Sequence, residues 1–148
     1  MDITGKSWRE VNRQFRDSVR DKVRRAQSKA ESCTVRASNE LRDAELNVLR
    51  GKRNGRIYRV PYSSVKYRAS ASGEPPADRT GTLRNSWGII AMGSSAIGKY
   101  TAGIETNVPY AERLENGTSR MAARPFRERI IQRASPRIGD IFRSAGFK

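Results

Sequence analysis

Between Trp8 and Val48 the apolar positions fall at steps of three and four: Trp8, Val11, Phe15, Val19, Val23, Ala26, Ala30, Cys33, Ala37, Leu41, Ala44 and Val48. Eleven steps over forty residues give a mean of about 3.6, the α-helical period. No Gly or Pro interrupts the run. Ser7-Trp8-Arg9-Glu10 predicts a capping box, with Ser7 bonding the N3 amide and Glu10 reaching back. Gly51 stands where a C′ glycine closes a helix, after Arg50 in the last turn. The pattern predicts one helix, with at most one break, up to ~60 Å long at 1.5 Å per residue. Its stripe is bulky at the start (Trp8, Phe15) and small in the middle (Ala26, Ala30, Cys33, Ala37). Small residues admit a close backbone, so Ala26, Ala30 and Ala37 are candidates for a helix–helix contact within or between subunits. A domain of this size is only ~30 Å across, so part of the helix is expected to project as an arm.

Beyond Gly51 the period changes. Arg56 to Val60 and Val65 to Ala69 read as short strands, with Pro61 ending the first. Ser70 to Thr80, with Gly73, Pro75 and Pro76, is a loop. Thr80 to Ser86 suits a helical turn. Trp87 to Met92 and Ile97 to Thr106, separated by a turn, predict an antiparallel hairpin. Val108 to Glu115 predicts a short helix with Pro109 in its first turn, stopped by Asn116-Gly117. Pro125 suits position N1 of a C-terminal helix carrying Phe126, Ile130, Ala134, Ile138 and Phe142 at every fourth residue. Pro136 is expected to kink or restart that helix near Ser135. The fold class is α+β: a long N-terminal helix, a small antiparallel sheet of about four strands, and a C-terminal helix packed on the sheet. Two segments follow, a helical arm over 1–53 and an α+β core over 54–148.

Composition narrows the function. The chain has 148 residues, enough for one core. Only 36% are apolar and 7% aromatic, so part of the burial is expected to come from a partner. No apolar run approaches the ~18–20 residues of a membrane span, and the polar N-terminus lacks a signal-peptide core; synthesis in the cytoplasm and no membrane partner are expected. One cysteine, Cys33, leaves no internal disulfide, and it reads most simply as a small core residue. There is no histidine, which removes Ser-His-Asp and Cys-His systems and the common zinc sites. No catalytic residue, metal site or cofactor is expected, and the protein is not expected to be an enzyme.

Two stretches are the most individual. The first runs from Ala69 to Ser86 and holds Gly73-Glu74-Pro75-Pro76 and Thr80-Gly81-Thr82-Leu83-Arg84; the second runs from Val108 to Phe126 and holds Tyr110-Ala111-Glu112-Arg113-Leu114-Glu115-Asn116-Gly117-Thr118 and Arg124-Pro125-Phe126. In this order they resemble a family of bacteriophage head–tail joining proteins, the small neck or tail-completion proteins of long-tailed phages. The resemblance covers about residues 55–135 and touches the long helix only loosely. It implies a structural virion protein of the neck, a homo-oligomeric ring of six or twelve subunits. Such a ring meets portal or adaptor and tail proteins, and DNA passes through its channel. Read on their own, Gly81, Leu83, Tyr110, Glu115, Gly117, Pro125 and Phe126 are fold-defining. Gly73, Glu74, Pro75, Pro76 and Arg79 sit on a stiff loop suited either to building the fold or to touching a neighbouring subunit.

Two weaker signals lose to simpler readings. The Gly-Glu-Pro-Pro loop lacks the Gly-Lys-Ser/Thr ending of a phosphate loop. Glu112 and Glu115 read as a solvated face or salt bridge rather than as a cation site.

The net charge is +15, with 30 Lys and Arg against 15 Asp and Glu. It divides into +6 over 1–53 and +9 over 54–148. Arg129, Arg133 and Arg137 fall at four-residue steps, off the apolar strip. They are either a solvated face or contacts to phosphate or to an acidic subunit. This charge sustains an alternative function, a basic nucleic-acid-binding module, although no helix-turn-helix, zinc-finger or RNA-recognition signature accompanies it.

Overall fold

A computed structural model describes residues 5, 7–94 and 98–147. The helix α1 spans Trp8–Arg50 without a break, 43 residues and about 64 Å long. Burial starts abruptly along it. Residues 12–26 are all exposed, whereas Ala30, Cys33, Thr34, Ala37, Ser38, Ala44, Glu45 and Leu49 are buried. The first half therefore projects as an arm, with Trp8, Phe15, Val19 and Val23 in solvent. The second half is buried in pairs of adjacent positions because two neighbours flank it.

One neighbour is the hairpin of β3 (Trp87–Ser94) and β4 (Lys99–Thr106), paired antiparallel with Ile89 opposite Ile104. The Ser38 hydroxyl pins α1 to it, lying 2.6 Å from the Ile90 carbonyl and accepting the Gly103 amide at 3.3 Å. The other neighbour is α4 (Arg127–Ser144), where Cys33 approaches the Ile141 carbonyl. The remaining elements are β1 (Ile57–Arg59), β2 (Lys66–Arg68), α2 (Thr82–Asn85) and α3 (Ala111–Asn116). The core gathers Ala44 and Leu49 of α1 with Leu83, Ala111, Phe126, Ile130 and Ala134. Trp87 closes it, edge-on to Phe126 at 5.9 Å between ring centres. Phe126, fully buried, contributes about 2–3 kcal/mol by removal from water alone.

The α+β class and the four strands stand, and several details differ from expectation. The strands form two separate two-stranded ladders, β1–β2 and β3–β4, rather than one sheet. The C-terminal helix lies along α1, and Phe126, just before it, meets Trp87 of the larger hairpin. Ser7 makes no side-chain cap; its carbonyl takes the Glu10 and Val11 amides. Gly51 is extended (φ −58°, ψ 158°) rather than left-handed, so it is not a C′ glycine. Pro125 stands two residues before helical Arg127 instead of at N1. The helix α4 continues through Pro136 without restarting.

Candidate assembly surfaces

The two individual stretches meet at the buried end of α1, and arginine ties them together. Arg53 is buried and spends its guanidinium on five carbonyls. Nη2 donates to Val48 (2.9 Å), Leu49 (3.1 Å) and Pro76 (3.0 Å), Nε also donates to Pro76, and Nη1 donates to Gly51 and Lys52. It thus takes the role expected of Gly51: orphan carbonyls at the helix end find their donors in a side chain. Burial lowers its pKa, partly offset by the Glu74 charge. Glu74 accepts the Asn54 amide at 3.0 Å, the Asn54 side-chain amide at 2.7 Å and the Ala71 amide at 2.9 Å. The Asn54 backbone bond first, then that of Ala71, hold its carboxyl below the ordinary 4.5. Pro75 and Pro76 are buried beneath this clasp.

The second stretch is fastened just as firmly. Arg124 donates through Nη1 to Ser70 (carbonyl and hydroxyl) and to the Ala71 carbonyl at 3.1 Å. The Gly73 amide bonds the Ala123 carbonyl, and Arg129 reaches the Gly73 carbonyl at 3.0 Å. Glu115 accepts the amides of Phe126 (2.9 Å) and Arg127 (3.2 Å), so a carboxylate from α3, eleven residues upstream, caps α4. Glu115 is therefore a helix cap, not part of a solvated acidic face. Gly117 has φ +77°, and a Cβ there would stand 2.7 Å from the Ala123 nitrogen. Asp78 accepts the amide of Gly81 (φ +75°) at 2.8 Å and pairs with Arg84, which shapes the Thr-Gly-Thr-Leu-Arg turn and sends Leu83 into the core.

The remaining candidates are scattered. Ala30 and Ala37 are buried inside this chain, while Ala26 is exposed on the arm. Arg79 is exposed beside an open groove of about 650 Å³ that Tyr67, Leu83, Tyr110, Leu114 and Met121 also line. The arginine strip divides: Arg129 is spent on Gly73, Arg137 pairs with Glu40 at 3.4 Å, and Arg133 is exposed. Sequence reasoning gave no role to Arg53, Asn54 or Ser70, and placed Asp78 and Arg124 within the motif stretches without assigning either a part. The one signal available was the run of polar residues on either side of the two proline motifs. A buried pair also went unforeseen: Glu45, with no exposure, pairs with Arg42, which donates to the Arg84 carbonyl at 2.9 Å. Burial lowers the Arg42 pKa.

Among the described residues no group of three His, Cys, Asp or Glu side chains is placed to hold a metal ion, and no helix is long and apolar enough to cross a membrane. Compared with family models, curated proteins and solved structures, the chain matches none.

Proposed function

We propose that this chain is a structural protein of a phage neck, forming a ring that joins the DNA-filled head to the tail. The observation that carries the reading is the clasp. Glu115 of one motif piece bonds Phe126 of another, and bonds to the flanking chain fasten the rest: Glu74 to Asn54, Arg124 to Ser70 and Arg129 to Gly73. The motif pieces therefore stand in one folded unit, which supports reading them as one set. The arm supports an assembly role. Its residues 8–29 carry an exposed apolar stripe and eight cations against three acids, which fits burial against an acidic neighbour better than against another copy of itself. The ring's work is mechanical: portal or adaptor on one side, tail on the other, DNA through the middle. Deleting the gene from its phage and imaging the lysate by electron microscopy tests this. Full heads and finished tails, unjoined, are expected; joined, infectious particles would overturn it.

A further inference from the structure

The β1–β2 ribbon is the least explained part of the molecule. It pairs with no other strand and makes its extensive contacts only within itself. Three pairs, Ile57–Arg68, Tyr58–Tyr67 and Arg59–Lys66, make up its ladder. Two-stranded ribbons this short are marginal in water, and this one sets two cations, Arg59 and Lys66, directly opposite each other, which destabilises it further. Among the described residues the side chains of Arg56, Arg59 and Lys66 make no hydrogen bond or ion pair, and that of Arg68 reaches only the Gly55 carbonyl. From Leu46 to Gly73 the chain has seven cations and no acid. At the tip, Tyr62 is fully exposed in the left-handed region (φ 60°), a conformation that costs a non-glycine residue free energy. Behind it, Tyr58 and Tyr67 stack at 6.0 Å with Tyr58 half in solvent. At the ribbon's foot an open groove of about 710 Å³ continues the charge through Arg50, Lys52 and Arg68, with one acid, Asp78, which is paired with Arg84.

We propose that this ribbon is a nucleic-acid contact surface that takes the phosphate backbone of double-stranded DNA. Arg56, Arg59, Lys66 and Arg68 are the phosphate contacts, and Tyr62 leads at the tip. A polyanion relieves the whole cluster at once, including the facing pair, whereas a single acidic side chain relieves one position. A two-stranded ribbon also has the width that the major groove, about 12 Å across, admits. The contact is to phosphates, which carry no sequence information, so it is independent of sequence and lets the duplex slide. The C-terminal arginines, two of the three already bonded within the fold, are not the DNA surface. The proposal does not rest on the neck reading, since it concerns what the ribbon touches whether or not a ring forms.

Fluorescence anisotropy of the full chain with a labelled mixed-sequence duplex, followed across salt concentration, tests it. The variant is Arg59→Gln/Lys66→Gln. Each lost phosphate contact removes about 0.9 from the log–log salt slope. The slope is therefore expected to fall by about 1.8 and the affinity in about 0.1 M salt by about 60-fold. The melting temperature should not fall, because the facing like charges are gone. If the double variant misfolds, Lys66→Gln alone carries the test, with a slope loss of about 0.9 and about eightfold weaker binding. Unchanged slope and affinity would overturn the proposal. So would a loss seen only in Arg129→Gln/Arg133→Gln/Arg137→Gln. Wild-type protein that ignores the duplex at low salt yet binds a poly-glutamate peptide would overturn it in favour of an acidic protein partner.

Discussion

Glu115 Oε2 lies 2.9 Å from the Phe126 amide, so the acid of one motif caps the helix that the other begins. A charge-assisted cap of this kind is worth about 1–2 kcal/mol. Glu115→Ala is expected to lower unfolding free energy by that amount, and Glu115→Gln by less, since the amide oxygen still accepts. Urea denaturation of the two variants measures it; equal, negligible changes would show that solvent caps α4 just as well.

Gly117 makes a sharper demand. Its φ of +77° and the 2.7 Å approach to the Ala123 nitrogen leave no room for a methyl group, and the nearest atoms are backbone that cannot swing away. Gly117→Ala is expected to cost about 2–3 kcal/mol, beyond the ordinary glycine-to-alanine effect. Gly73, also at positive φ but with open space around it, should lose only about 1 kcal/mol on the same change. Thermal unfolding of the pair distinguishes steric closure from backbone strain alone.

Small residues on α1 divide into two kinds. Ala37 is fully buried inside this chain, so Ala37→Leu overpacks the fold and should cost about 1–3 kcal/mol in the isolated chain. Ala26 is exposed on the arm, and Ala26→Leu should leave unfolding unchanged. Its effect, if Ala26 meets a partner backbone, is confined to particle assembly. Comparing melting curves with particle yields checks both.

The Glu74 clasp brings a pH dependence. Its carboxyl is held below the ordinary value by the Asn54 and Ala71 amides, so the unfolded chain binds the proton more tightly. The stabilisation is fully present above the unfolded pKa and is lost as pH falls through the lower, folded one. Glu74→Gln should therefore be less stable than wild type at neutral pH, with the gap closing as pH drops below 4.5. Parallel denaturation curves across that range read it; a gap independent of pH would remove the charge from the account.

What could be read in the sequence, and what could not, follows from the range of the interactions. The long helix was legible because its signal is local: each apolar residue from Trp8 to Val48 announces the next. Leu83 and Phe126, which stood out in the two individual stretches, both enter the core. Arg53 was hidden because Gly51 suggested the commoner way to end a helix, and nothing local says that a guanidinium will supply the donors instead. Glu74 and Asn54 are twenty residues apart, and Arg129 reaches back fifty-six to Gly73. Pairings at such distance leave no period. The strip of Arg129, Arg133 and Arg137 looked like one surface because helical spacing shows a shared face but not its partners. The division of four strands into two ladders was hidden for the same reason, as alternation shows which face is buried but not which edges meet.

The most direct test of the neck assignment is electron microscopy of purified, DNA-free portal connectors mixed with the purified chain. The account predicts an added ring of repeated subunits on the connector, lost when residues 8–29 are removed although the truncated chain still folds. Bare connectors at saturating protein, with the chain a folded monomer throughout, would contradict it.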